Sequence, residues 1–407
     1  MTFGILAVIV LAGLGGPLLG TSERRFVPVV VGEILAGILV GPAVLGVVDP
    51  HQPTISFLSE VGFAMLMLTV GMHLPLRDER LASALRGGAV LAALVGVLAV
   101  PAGLLAGQIT GDGNAAIYAV VLASGSAAVL LPAIQESGLG GAEVLTVMAQ
   151  VTIADVLTIV SVPIVLEPSR AEHAVLGTAL VAGAVVALRL AALPLRGRAW
   201  IERVRHLSKR RRWALDLRLS LLVLFGLAWL AQKGGTSVLI AGFGAGVTVA
   251  LIGGPKRLST QVRGVADGFF VPLFFVVLGA QLDLSGLFDE PAMIGLAAAL
   301  VGLNVAIHLV AGLATRRSVP AALAATAQLG VPAAVASLGL AQHLISPVVA
   351  TAIVTSALAS LAVCTVGVEQ LGKRSAAGGG GPGGGPPDAT GGPAPAAALQ
   401  TGAGAGA

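Results

Sequence analysis

One acid stands where an acid is hard to keep. In the stretch QVTIADVLTIV (150–160), Asp155 lies near the centre of an apolar run from about 143 to 166. In hydrocarbon, a central Asp costs roughly 2.5–3.5 kcal/mol on insertion scales, so it should face a polar cavity and act there. One carboxylate can hold either a proton or a metal ion, and that competition is the minimum chemistry for trading cations against protons. The plainer role is a protonated acid bonding a neighbouring helix. Thr152 falls one turn earlier on the same helical face, and Gln150 is the other strongly polar residue of the inner half.

Other polar residues in apolar surroundings are fewer and weaker. Asn304 and His308 lie one turn apart on a run from 292 to 314. His308 reads either as a charge that answers to pH or as a neutral ring bonding a carbonyl, and Asn304 either as a site residue or as a polar packing contact. Glu33, in GEILAGILVGP, reads as an acid in a cytoplasmic funnel or, preferably, as a structural acid near the interface. Asp267 and Asp283 read as interface residues, and Cys364 as a small packing residue. There is no nucleotide loop, no cluster of metal ligands and no nucleophile–base pair, so no cofactor and no enzymatic chemistry are expected. The metal ion to be considered is a transported monovalent cation on Asp155.

The elements that must position these groups follow from composition. Of 407 residues, 56% are hydrophobic and 11% charged, with a mean hydropathy of +0.94. Charge this scarce excludes an ordinary soluble domain, and the charges cluster between apolar runs long enough to cross a bilayer core of about 30 Å. The expected fold is an all-α polytopic membrane protein with thirteen spans: 2–20, 27–47, 56–74, 87–108, 114–135, 143–166, 173–193, 214–231, 236–252, 268–282, 292–314, 319–341 and 346–368. The first is read as a retained helix, since it lacks a basic n-region and a cleavage site. Alternating loops and the span ends beside them hold all but Arg170 and Lys233 of the 24 Lys and Arg, which places the N-terminus outside and the C-terminus in the cytoplasm. The basic residues lie between spans, which excludes a nucleic-acid surface. The longest such segment, 196–218, reads as a topology determinant against anionic lipid headgroups. Residues 1–370 form the transmembrane domain, and 371–407, rich in Gly, Pro and Ala, a disordered cytoplasmic tail.

Two spans carry interruptions. The fifth has Ser124, Gly125 and Ser126 at its centre with Pro132 beyond, and the twelfth has Gln328, Gly330 and Pro332. Glycine weakens a helix and proline removes a donor, so each interruption frees backbone groups that lipid cannot satisfy. A kink between packed helices would use the same residues. Paired interruptions at corresponding places in two halves mark an inverted-repeat transporter with its site at the midplane.

The stretches VGEILAGILVGPAVLG (31–46), FLSEVGFAMLMLTVGMHL (57–74), ASGSAAVLLPAIQESG (123–138), IADVLTIV (153–160) and FFVPLFFVVLGAQLDL (269–284) occur in this order along the membrane region. Together they resemble the second monovalent cation:proton antiporter family, with its sodium/hydrogen exchanger-like membrane domain. The resemblance implies a thirteen-helix antiporter with a dimerisation scaffold and a mobile core bundle, in an inner (plasma) membrane. It also implies a homodimer, Asp155 as the ion- and proton-binding carboxylate, and Ser124 and Ser126 lining the crossover. The chain departs from the family pattern at Ala154, where charge-moving members have a second Asp. It departs again in the eleventh span, where Asn304 or His308 stands for a basic residue, and in QLGVP (328–332). A single acid implies one-for-one, electroneutral exchange of H⁺ for Na⁺ or K⁺. Two other readings remain at this level, a sodium-coupled organic-anion symporter on a related scaffold and a non-transporting membrane component.

Overall fold

The computed structural model describes residues 2–377 apart from 21–28, 73–78, 112, 167, 195–197, 212, 235, 253–255 and 284–287. The proposed tail from 378 onward lies outside the described residues. Helices in chain order are α1 (Phe3–Gly13), α2 (Gly15–Gly20), α3 (Val29–Val40), α4 (Pro53–Met72), α5 (Glu79–Thr110), α6 (Ala115–Ala123), α7 (Ala127–Glu136), α8 (Ala142–Leu166) and α9 (Ala171–Ala192). They continue as α10 (Ala199–Arg210), α11 (Leu215–Lys233), α12 (Val238–Ile252), α13 (Lys256–Val265), α14 (Val271–Ala280), α15 (Pro291–Ala314), α16 (Val319–Ala324), α17 (Gly330–Ala341) and α18 (Pro347–Ala377). No strand occurs among the described residues.

Among the described residues, eight helices are long and apolar enough to cross a membrane. The count of thirteen rests on treating α1–α2, α3, α6–α7, α12 and α16–α17, which are shorter or interrupted, as crossings too. Some expected boundaries move, and one expected loop holds a helix. The tenth span begins earlier, because α13 runs into α14 through a widened π turn at Ala266–Phe270. Leu258, Val262 and Ala266 are buried at four-residue spacing there, so the basic residues around them ride on a helix rather than a loop. The segment 196–218 contains α10, and the last helix continues to Ala377.

The helices pack as two bodies. In one, α5 packs on α6, α8 and α15, while α18 packs on α15, α16 and α17. In the other, α4 packs on α12 and α14, α3 on α14, and α12 on α9 and α11. Close approach in the second body depends on glycine: a Cβ on Gly37 would overlap the Val276 carbonyl, and one on Gly279 the Ile34 carbonyl. The first body is two copies of one pattern, a long helix, a broken helix and a long helix. The copies are α5, α6–α7, α8 and α15, α16–α17, α18.

Candidate functional site

The first break spans Ser124–Ser126, and local chemistry explains it. Ser124 is extended (φ −74°, ψ 156°), and its hydroxyl donates to the Val121 carbonyl at 2.7 Å, a side-chain bond that competes with the helical ladder. The Ser126 carbonyl then accepts from the Val129 and Leu130 amides at 3.3 and 3.1 Å, starting α7. Gly125 lets the gap pass close over α8: a Cβ there would stand 3.0 Å from both the Val151 carbonyl oxygen and its Cγ1. Val151 lies one turn before Asp155.

That approach delivers the first amide of α7 to the acid. The Ala127 N–H donates to Asp155 Oδ2 at 3.3 Å, and Asp155 is 3% exposed. A helix N-terminus offers unpaired N–H groups and the positive end of the dipole, which favours a negative charge. The carboxylate can therefore be ionised without a basic side chain beside it, and it keeps acceptor capacity beyond the Ala127 bond. Thr152 is half-buried one turn earlier. Thr158, one turn later, donates to the Ala154 carbonyl at 2.6 Å. Ser126 is buried at the end of the gap.

The second break runs from Ala325 to Leu329. Pro332 sits in the first turn of α17, where its missing N–H leaves no intrahelical bond unmade. Gln328 is buried in this break and donates through Nε2 to the Val121 carbonyl at 2.8 Å. The two interruptions are thus tied at the C-terminal end of α6. The end of α16 is held differently. Asn304 Nδ2 donates to the Thr326 carbonyl and to Ser360 Oγ, both at 3.0 Å, and Cys364 Sγ donates to the Ala324 carbonyl at 3.2 Å.

Of the residues singled out from the sequence, Ser124, Ser126, Gln328 and Asp155 meet at the first break, with Thr152 one turn away. Asn304 reaches the second break, whereas His308 does not: its Nδ1 lies 2.8 Å from the Asn304 carbonyl of its own helix. Glu33 belongs to the other body, on α3, 3% exposed with Oε2 unpartnered. Asp267 lies exposed on the π turn, and the Asp283 amide bonds Thr351 Oγ1 at 2.8 Å. Sequence reasoning passed over Ser360 and Thr326 and read Cys364 as a packing residue only. The signal was there for two of them, since Ser356, Ser360 and Cys364 recur every fourth residue, a small polar stripe on α18 facing α16. Among the described residues no three His, Cys, Asp or Glu side chains gather as a metal site.

Comparison with known proteins adds a family context. The family model for the sodium/hydrogen exchanger, transmembrane, matches residues 6–374. Similar relatives include the Na(+)/H(+)-K(+) antiporter GerN of Bacillus cereus, 24% identical over 292 residues, with 71% of this chain and 73% of that protein covered. The Na(+)/H(+) antiporter of Enterococcus hirae is 26% identical over 310 residues, covering 74% of this chain and 78% of the relative. The fold is similar to that of the sodium proton antiporter MjNhaP1 from Methanocaldococcus jannaschii. Its TM-score is 0.66 at 16% identity, over 91% of this chain and 98% of that one.

Proposed function

The chain belongs to the sodium/hydrogen exchanger transmembrane family and exchanges protons for monovalent cations across a membrane, and we propose that Asp155 carries both ions in turn. The observation behind this reading is the Ala127 amide on Asp155 at the α6–α7 break. The N-terminus of α7 supports the ionised carboxylate that a cation needs, while protonation cancels the charge and releases the cation. Ser124, Ser126 and Thr152 supply oxygen atoms around it. Gln328 fixes the end of α6, and Asn304 takes the place of the basic residue usual in this family. Since Ala154 leaves Asp155 without a neighbouring acid on α8, each cycle carries one proton against one cation, and exchange is electroneutral. Movement of the body holding both breaks against the other body opens Asp155 to each side alternately. Basic loops on one side support an external N-terminus in a plasma membrane, and the family resemblance supports a homodimer.

The test is reconstitution with a pH-sensitive dye. Wild-type proteoliposomes should show proton flux driven by Na⁺ or K⁺, and Asp155→Asn should fall to background, because Asn keeps an acceptor for Ala127 and loses the charge. Normal flux in that variant would overturn the assignment. Proton and cation compete for one carboxylate, so the half-saturating cation concentration should rise about tenfold per pH unit on acidification, once the acid is mostly protonated.

A further inference from the structure

Away from Asp155, a cavity of about 330 Å³ opens between the two bodies, at the end where α4 begins and α8 finishes. Its floor includes Pro163 of α8, eight residues after Asp155, or about 12 Å along the helix. Oxygen dominates the polar part of its wall. Glu60 and Ser59 come from α4, Thr236 from the turn before α12, Gln281 from the end of α14, and Ser337 and Gln342 from α17. Among the described residues no Lys, Arg or His lines it, and Glu60 is its one acid.

Two acceptors in this wall are unspent. Thr236 is 9% exposed, yet its Oγ1 has no hydrogen-bond partner, and neither has Gln281 Oε1. Buried polar atoms are almost always paired, so unpaired ones inside a cavity call for an occupant. An occupant that meets a carboxylate, a hydroxyl and an amide oxygen, and that no basic group repels, is a hard cation, which takes oxygen ligands. The volume is enough for about ten waters at roughly 30 Å³ each, so the ion would keep much of its hydration.

We propose that Glu60, Thr236 and Gln281 form a second site, a staging position where a partly hydrated monovalent cation is captured before it passes to Asp155. This rests on the exchange reading above. All three groups belong to the body that lacks Asp155, so the staging site stays in place while the acid moves. It serves one face of the membrane only. An acid in a cleft walled by low-dielectric protein raises the local cation concentration and the rate of capture.

The test is sidedness. Transport would be compared in right-side-out and inside-out vesicles, with Na⁺ and K⁺ supplied from each side. Glu60→Gln should raise the half-saturating concentration about tenfold from the cavity side and leave it within about twofold from the other. Gln281→Leu and Thr236→Val should shift it the same way by less, and Glu60→Asp should recover most of the loss. An unchanged value from both sides, or an equal rise on both, overturns the proposal. A direct arm uses purified Asp155→Asn protein and radioactive sodium. Weak binding should remain and should vanish on adding Glu60→Gln; absence of binding before that second change also overturns it. Wild-type protein that moves no protons when a cation gradient is applied would instead refute the exchange reading, and the binding arm would still report on the staging site.

Discussion

The two broken helices are built to one plan and finished differently. At the α6–α7 break, the gap runs over α8 and the new helix points its first amide at Asp155. At the α16–α17 break, the C-terminal carbonyls are closed off by Asn304, Thr326 and Cys364. A Cβ at the start of α17 would meet only the Met67 methyl, at 3.6 Å. On the exchange reading, the same geometry makes a reactive end in one half and a sealed joint in the other. What separates them is where a neighbouring helix places its polar residue: an acid at the N-terminus of α7 that closes the first gap, an amide just past the C-terminus of α16 that opens the second.

The sharpest way to break this contrast is to remove both polar residues in turn. Asp155→Asn should abolish exchange, by at least a hundredfold, with thermal stability in detergent little changed. Asn304→Leu should do the reverse. It strips a donor from the Thr326 carbonyl and from Ser360 Oγ, a loss of about 1–3 kcal/mol for buried groups left unpaired, while exchange persists at a reduced rate. Flux abolished in Asn304→Leu at unchanged stability would mean that the second break is also a reactive end.

A smaller effect separates the glycines. In Gly125→Ala the new methyl presses on the Val151 carbonyl at 3.0 Å, and overpacking of a tight contact costs about 1–3 kcal/mol. The displacement also lifts Ala127 away from Asp155, so flux should fall several-fold along with the melting temperature. In Gly330→Ala the methyl meets a flexible Met67 side chain at ordinary contact distance, and stability should stay within about 0.5 kcal/mol. Equal responses would show that the first gap does not need its close approach to α8.

Much of this was legible before any coordinates. Asp155 stood out by its cost in the middle of VTIADVLTIV, the Ser-Gly-Ser interruption marked the first gap, and Gln328 marked the end of the second, which begins three residues earlier at Ala325. The spans were legible through length and apolar content, and failed at α13, where an amphipathic basic helix looks like a loop to a hydropathy count. The choice between Asn304 and His308 was not legible at all. They lie on one face of α15, and only the packing of α18 and the second gap decides which reaches across. Nor could the polar cavity be read, because Glu60, Thr236 and Gln281 come from three distant stretches, and no periodicity within one helix links them.

The smallest expected effect concerns the tie between the two breaks. The Val121 carbonyl accepts from the Ser124 hydroxyl at 2.7 Å, the Ser124 amide at 3.1 Å and Gln328 Nε2 at 2.8 Å. Ser124→Ala removes one of three donors and leaves the oxygen satisfied, so the cost should be about 0.5–1 kcal/mol, that of one net hydrogen bond. Gln328→Leu alone should cost more, because the side chain is buried and carries the bond that ties one gap to the other. Donors that share one acceptor are not independent, so the double variant should lose more than the sum of the singles, by at least about 0.5 kcal/mol. That excess measures how far one break props up the other. An additive pair would mean that the two breaks are neighbours without being coupled, and the sealed joint would then contribute nothing to the reactive one.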